Sequence, residues 1–280
     1  MRLSKSFFKK LFRRKITIVG AAILVVIISM ALLSPLIAPY DPMKINPIDR
    51  LQKPNSTHWF GTDNFGRDIF SRIIYGARIT VLSGFGVVIF SIVFGVVLGS
   101  LSGYFDTLGM FIMRVIDVVM AFPPIMLALA LVAILGQGLI NVIVAVGAVY
   151  LTRTARITYG LTLKIRKDAF VEAAVAEGAG NGRVLFLHII PNLISPIIVQ
   201  ATFTFAFALL QMAALDFLGV GIPPQIPSWG NMLSSSQDYI TRAPWLLLFP
   251  GIFIVITVLS FNLFGDALRD RLDPKFKDEL

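Results

Sequence analysis

Residues 16–38 read ITIVGAAILVVIISMALLSPLIA, an apolar run without a single charged side chain. An α-helix rises about 1.5 Å per residue, so the run makes a helix of roughly 34 Å, and the hydrocarbon core of a membrane is about 30 Å thick. The run is longer than the apolar part of a usual signal peptide, and more apolar runs follow it. It is therefore predicted to be a retained membrane-spanning helix.

The composition extends this prediction to the whole chain. Of the 280 residues, 56% are hydrophobic and 15% are charged, whereas a soluble domain has about 45–50% apolar and about 25% charged residues. The chain has no cysteine and two histidines, which excludes a disulfide framework, a thiolate nucleophile and a His-rich metal cluster, so no metal site is expected. These observations favour an all-α integral membrane protein over a soluble enzyme.

Five further apolar runs bring the predicted number of transmembrane helices to six. One run contains Pro123-Pro124, and a kink is predicted there because proline lacks an N–H group and clashes with the preceding turn. The runs extend from about Val81 to Ser102, Ile112 to Leu135, Leu139 to Tyr159, Leu193 to Leu218 and Leu246 to Leu268. The predicted segments are a basic N-terminal tail (1–15), a first helix (16–38), an extracytoplasmic loop (39–80), a five-helix core (81–268) that includes the loop 160–192, and a C-terminal tail (269–280).

The distribution of basic residues predicts the orientation. The formal net charge is +9, and Lys and Arg concentrate in the N-terminal tail, around the loop 160–192 and after residue 268. Basic segments stay on the cytoplasmic side of a membrane, so both termini and this loop are predicted to be cytoplasmic, in a multi-pass bacterial inner membrane protein. The charge therefore indicates membrane topology and no nucleic-acid partner. Three tryptophans then fall on the outer side, where an interfacial belt and ordinary loop packing are equally compatible interpretations: Trp59, Trp229 and Trp245.

The loop 160–192 begins with a predicted short helix. Asp168 stands where a side chain can cap a helix, and alanine-rich sequence follows it. Gly178 is a typical residue at which a helix ends. Three alanines share one face of this helix and would let another surface approach closely: Ala169, Ala173 and Ala176.

A second short helix is predicted from Arg183 to His188, ended by Pro191. Together the two helices form a helix–turn–helix across the mouth of the spans. From the residues alone, docking of a cytoplasmic partner and a solvated linker are both open.

The same loop resembles the EAA loop of bacterial ABC importer permeases. The resemblance rests on residues 172–178 (EAAVAEG) and 188–191 (HIIP). Three more segments are similar to the permeases for dipeptides, oligopeptides and nickel, in particular to their C-type subunit: residues 58–78 (HWFGTDNFGRDIFSRIIYGAR), 227–232 (PSWGNM) and 261–274 (FNLFGDALRDRLDP). Val175, Glu177 and Ile190 depart from the usual pattern of Arg, an apolar residue and Leu.

The resemblance implies a function and a set of partners. The chain would form half of a translocation pathway with a second permease, import di- or oligopeptides, or nickel, from an extracytoplasmic binding protein, and dock on one of two ATPase subunits. This chain would bind no cofactor, and ATP and Mg would belong to the partner ATPases. The residues expected in ATPase coupling are Asp168, Glu172, Ala173, Ala174, Gly178, His188 and Pro191.

The sequence is consistent with a subunit that is not itself an enzyme. It contains no G-x-x-x-x-G-K-[ST] phosphate loop, the motif that cradles ATP phosphates. A stand-alone channel or secondary transporter is the alternative class, and such proteins have ion sites at broken helices.

Two patterns within the spans predict helix contacts. A small residue recurs every fourth position on the second span, which lets two helix backbones meet closely and favours a packing role: Ser91, Gly95, Gly99 and Gly103. On the fifth span, Gln200, Thr204 and Gln211 share one face. Since polar groups are costly against lipid, this face is predicted to line the translocation path or to form hydrogen bonds between helices. Arg114 and Asp117, three residues apart, are expected to pair.

Overall fold

The computed structural model describes residues 15–272. Of the predicted basic N-terminal tail only Lys15 is among the described residues, and the C-terminal tail is described as far as Leu272. Within this part of the chain every regular element is helical, and Thr62 and Asp68 form one isolated antiparallel bridge.

Helices make up most of the described chain, and the longest connection between α-helices runs from Ile37 to Ile69. Two one-turn 3₁₀ helices, Pro47–Asp49 and Gln237–Tyr239, lie in the loops. The α-helices are α1 (Lys15–Leu32), α2 (Ser34–Ile37), α3 (Ile69–Tyr104), α4 (Asp106–Met120), α5 (Pro124–Leu135), α6 (Leu139–Ile165), α7 (Ala169–Ala176), α8 (Asn181–Phe217), α9 (Trp229–Ser236) and α10 (Trp245–Leu272).

Five of these helices are long and apolar enough to cross a membrane: α1, α3, α6, α8 and α10. Helices α4 and α5 make a sixth span when they are taken together, although they are bent by 96° relative to each other. The bend falls at the predicted Pro123-Pro124 kink, where Pro124 begins α5. A proline fits the first turn of a helix and kinks or breaks a helix interior, and here the pair marks the point where one helix ends and the next begins. The expected all-helical membrane fold is confirmed.

Helix α3 begins well before the apolar run that predicted it. The first helical residue is Ile69, so residues 69–80 are helical although they were expected in the extracytoplasmic loop. Asp68 caps the helix by accepting a hydrogen bond from the Ser71 N–H at 2.8 Å. This first part alternates buried apolar residues such as Ile73 with the buried Arg72. A search for continuous hydropathy misses it for that reason.

The small-residue stripe of α3 is buried along its length: Ser91, Gly95, Gly99 and Gly103. Its glycines face α6, because a Cβ on Gly95 would lie 2.7 Å from the Thr154 Cβ. A Cβ on Gly103 would lie 2.6 Å from the Thr162 Cβ. The neighbour that the sequence left undetermined is therefore a helix of the same chain.

The core lies in two main clusters on either side of α8. One joins α1, α3, α8, α9 and α10, where Phe205 and Phe261 stack at 3.8 Å between ring centroids. The other joins α3, α5, α6 and α8. Helix α8 is thus the central element on which both halves of the bundle pack.

Two of the three tryptophans are buried in this core. Trp229 is fully buried, and its Nε1–H donates to the Ile73 carbonyl at 3.0 Å. Trp245 is buried, and its Nε1–H donates to the Thr62 carbonyl at 3.3 Å. Loop packing therefore accounts for both, and only Trp59 is exposed. The contacts also place residues 39–68 and 219–244 together at one end of the bundle, here called the loop end.

Candidate functional site

The opposite end of the bundle carries α7, and this α7 end contains the residues expected in coupling. Asp168 occupies the N-cap position of α7, as predicted, but its side chain makes no capping hydrogen bond. The prediction that the Asp168 side chain caps this helix was wrong. The backbone carbonyl of Asp168 instead accepts hydrogen bonds from the N–H groups of Val171 and Glu172, and these bonds begin the first turn.

Gly178 ends α7 through its backbone conformation. Its φ is +85°, in the left-handed region that L side chains rarely adopt. The Gly178 N–H donates to the Val175 carbonyl and the Ala179 N–H to the Ala174 carbonyl, both at 3.0 Å. These two bonds are the Schellman pattern, and they turn the chain sharply toward α8.

Helix α7 divides into a buried and an exposed side. Val171 and Ala174 are buried, and Val171 packs with the beginning of α8 in a cluster that also includes Leu193. Glu172 and Ala173 are exposed. The alanine face is exposed as a whole, which leaves a flat strip of small side chains along the helix: Ala169, Ala173 and Ala176.

The chain after the turn differs from the predicted second short helix. Residues Val184–Ile189 are π-helical, and the helix continues through Pro191 to Phe217 instead of ending at the proline. A wider π turn accommodates a residue that lacks an N–H group. His188 lies in this π segment and is partly buried, and its carbonyl accepts from the Asn192 side chain at 2.6 Å.

Large apolar side chains surround the exposed strip. Phe170 and Val175 on α7 are 44% and 52% exposed, and Phe186 and Leu187 in the π segment are 66% and 63% exposed. We call these four residues and the α7 alanine strip the α7 surface. Exposed apolar side chains rimmed by charge are typical of a protein interaction site.

A polar clamp joins this region to α3 and α4. The Tyr104 hydroxyl at the end of α3 donates to the Asn181 Oδ1 at 3.0 Å. Arg166, which follows α6, donates to the Tyr104 carbonyl at 3.1 Å and to both carboxylate oxygens of Asp106 at 2.7 and 3.2 Å. The hydrogen bond to Asp106 raises the pKa of Arg166, so the guanidinium stays charged. The clamp therefore joins the segments that precede and follow α7 to α3 and α4.

The polar stripe of α8 is drawn largely into the protein. Thr204 and Gln211 are buried. The Tyr150 hydroxyl donates to the Gln211 Oε1 at 3.0 Å, and the Gln211 Nε2 donates to the Pro124 carbonyl at 2.8 Å. Gln211 therefore forms hydrogen bonds between helices, which was the alternative interpretation. The bend between α4 and α5 makes this possible because it brings the Pro124 carbonyl next to Gln211.

Gln200 differs from the other two residues of the stripe. It is partly exposed, and its Nε2 donates to the Thr204 Oγ1 at 3.1 Å. It stays a candidate for the path lining.

The expected pair of Arg114 and Asp117 does not form. Asp117 instead forms an ion pair with Arg156 of α6, and both side chains are nearly half exposed. A neighbouring helix competes with the local partner for the carboxylate, and local spacing along α4 does not reveal that competitor.

At the loop end, the 58–78 motif builds a closed polar network. The His58 Nδ1 lies 2.9 Å from an Asp68 oxygen, and the Ser71 hydroxyl donates to the other Asp68 oxygen at 2.7 Å. Asp63 pairs with the Arg67 Nε at 2.7 Å. These side chains are buried, so the network fastens the loop to α3.

Comparison with known proteins identifies the scaffold. Residues 91–278 match the model of the binding-protein-dependent transport system inner membrane component. The chain belongs to this permease family. Residues 3–54 also match the N-terminal transmembrane domain of oligopeptide transport permease C. The resemblance found in the sequence is confirmed, and the permease is a multi-pass component of an inner membrane.

Relatives of the permease are similar over nearly their full lengths. It is 47% identical to the dipeptide transport system permease protein of Alkalihalophilus pseudofirmus, over 96% of this chain and 89% of the relative. It is 41% identical to the di/tripeptide transport system permease protein of Pseudomonas aeruginosa, over 98% and 93% of the two chains. It is 39% identical to the glutathione transport system permease protein of Pectobacterium atrosepticum, over 98% and 91%. Membership in the family implies a binding protein, an ATPase and a partner permease in general.

The sequence did not predict the residues of the polar clamp. Tyr104, Asp106, Arg166 and Asn181 are separated by up to 77 positions along the chain. The parallel packing of α3 on α6 brings Tyr104 and Arg166 together, and no local spacing signals it.

Proposed function

We propose that this chain is the membrane subunit of an ATP-driven peptide importer and that the α7 surface docks on a partner ATPase. The observation that carries the proposal is the exposed α7 surface held by a clamp to α3 and α4. A docked ATPase would bury the apolar side chains, and its movement on ATP binding would reach the spans through Arg166 and Tyr104. The relatives named for dipeptides, tripeptides and glutathione support peptides as the substrate class.

The rest of the complex follows from this assignment. A second permease supplies the other half of the path, two ATPase subunits bind and hydrolyse ATP with Mg, and an extracytoplasmic binding protein delivers the peptide to the loop end. The α7 end then faces the cytoplasm, as do both termini. The basic side chains on this side agree with that orientation.

The coupling residues have distinct roles within this proposal. Glu172 and Ala173 contact the ATPase, Ala174 packs α7 on the permease, and Gly178 sets the direction of the helix. Asp168 begins α7 through its backbone, and His188 and Pro191 lie in and after the π segment that carries the exposed Phe186.

Cross-linking from a single cysteine tests the docking. The chain has no cysteine of its own, so Ala173→Cys carries one thiol for a photo-activated cross-linker in the assembled complex. We expect cross-links to the ATPase that strengthen or weaken when ATP is added. Ser235→Cys is the matched control, because Ser235 is also exposed but lies on α9 at the loop end.

The same two variants test the orientation. A membrane-impermeant thiol reagent added outside intact cells should label Ser235→Cys and leave Ala173→Cys unlabelled. Cross-links from Ser235→Cys to the ATPase, or none from Ala173→Cys in a complex that imports peptide, would contradict the proposal.

A further inference from the structure

A group of charged side chains lies inside the spans, away from the α7 surface and the clamp. Arg153 and Arg156 are in α6, and Arg114 and Asp117 are in α4, all of them exposed in this chain. Arg153 precedes the end of α6 by about 18 Å and Arg156 by about 14 Å, while Asp117 follows the start of α4 by about 16 Å. These residues therefore lie well inward from the polar clamp that joins the ends of the two helices.

Such positions are costly against lipid. A charged residue within a membrane span almost always faces the interior of a bundle or a water-filled cavity. The ion pair of Arg156 with Asp117 neutralises one positive charge. No carboxylate among residues 15–272 pairs with Arg153 or Arg114, so this face carries an excess of positive charge.

Arg153 is held in place by an aromatic ring rather than by an acid. Its Cζ lies 5.6 Å from the ring centroid of Phe207 on α8. A guanidinium that stacks on a ring keeps its N–H donors free at the edge of the plane. Phe207 is 41% exposed and follows Gln200 by two helical turns, so both lie on one face of α8.

These contacts define a continuous polar face across three helices. It begins at the Asp117–Arg156 pair between α4 and α6, continues through Arg153 to Phe207, and reaches Gln200 on α8. We call it the arginine face. It combines the free N–H donors of Arg153 with the aromatic ring of Phe207.

We propose that the arginine face binds the carboxylate of a peptide on its way through the membrane, with Arg153 as the principal ligand. The planar fork of arginine fits a carboxylate with two parallel hydrogen bonds. Every peptide with a free C-terminus carries this group whatever its side chains are, so one arginine serves many sequences. This inference rests on the proposed function as a peptide permease and adds a site within its path.

Uptake by the complete transporter in proteoliposomes tests this site. The complex contains both permeases, both ATPases and the binding protein, and the probes are Ala-Asp, with two carboxylates, and Ala-Lys, with one and a cationic side chain. Both dipeptides carry a C-terminal carboxylate, so we expect Arg153→Gln to lower the uptake of both about tenfold, the loss of one charge-assisted hydrogen bond. Arg153→Lys should restore part of the Ala-Asp rate.

Two measurements separate this site from a structural role. ATP hydrolysis stimulated by the loaded binding protein should stay near wild type in Arg153→Gln, because docking and closure do not use this residue. Arg269→Gln is the control, since Arg269 is exposed at the far end of α10 and outside the arginine face. It should leave both uptake rates unchanged.

Three results would overturn the inference. These are a loss for Ala-Asp alone, which would assign Arg153 to the side-chain carboxylate, no loss for either dipeptide, or a parallel fall in ATP hydrolysis, which would assign Arg153 to assembly with the partner permease. Failure of the wild-type complex to import either peptide would instead contradict the proposed function, so the two failures are distinguishable.

Discussion

The two ends of the bundle differ in how their charged side chains are paired. At the loop end, Asp63, Arg67 and Asp68 are buried and bonded within the chain. At the α7 end, Phe186 and Leu187 are largely exposed, and Glu172 has no partner among the described side chains. These charged groups of the loop end are paired within the chain, whereas Glu172 is left for a second protein.

The largest expected effect is on the loop end. Asp63→Ala would leave Arg67 buried without its acid, and removal of one partner of a buried ion pair costs about 3–5 kcal/mol. We expect a marked fall in the thermal stability of the detergent-purified permease. Asp238→Ala, in the exposed 3₁₀ turn of the same end, should change stability by less than about 0.5 kcal/mol. Equal stability of the two variants would show that the loop end is not closed in the way described.

An intermediate effect is expected at the clamp. Arg166→Gln removes the ion pair with Asp106 and weakens the bond to the Tyr104 carbonyl, but this exposed pair contributes little to folding. Peptide uptake should fall a few-fold while the amount of protein in the membrane stays constant. Uptake at the wild-type rate would mean that α7 reaches the spans without the clamp.

The smallest effect comes from two aspartates at N-cap positions. Asp68 caps α3 with its side chain and also contacts His58, whereas Asp168 makes no side-chain capping bond to α7. Asp68→Ala should lower the free energy of unfolding by at least about 1 kcal/mol, and Asp168→Ala by less than about 0.5 kcal/mol. Denaturation of the two purified variants measures the difference, and a larger loss for Asp168→Ala would reverse the comparison.

The same contrast explains how much of the molecule could be predicted from its sequence. Continuous apolar runs predicted the spans because hydropathy is a local property. Gly178 was predicted as a helix end because a single φ requires glycine there. The glycine stripe was recognised by its spacing, although the spacing could not name Thr154 and Thr162 as its neighbours.

The failures share a physical cause. The partner of Gln211 comes from the α4–α5 bend, the partner of Asp117 comes from α6, and Trp229 is buried by helices distant in sequence. Each depends on tertiary packing that no local pattern encodes. The start of α3 was missed because its first turns mix Arg72 with apolar residues, and the π segment before Pro191 has no recognised sequence signal.

The central claim is that the direction of α7 couples the permease to its ATPase, and two glycines of one turn test it most directly. An added Cβ meets no atom within 4 Å at either Gly178 or Gly180, but Gly178 has a φ of +85° and Gly180 of −68°. Gly178→Val should therefore misdirect α7 at a cost of about 1–2 kcal/mol, whereas Gly180→Val fits its backbone.

Uptake and ATP hydrolysis measured together in the reconstituted complex decide the outcome. The account predicts that Gly178→Val stops peptide uptake and its ATP hydrolysis with normal membrane insertion, while Gly180→Val behaves like the wild type. Near-normal uptake by Gly178→Val would contradict the coupling role of α7.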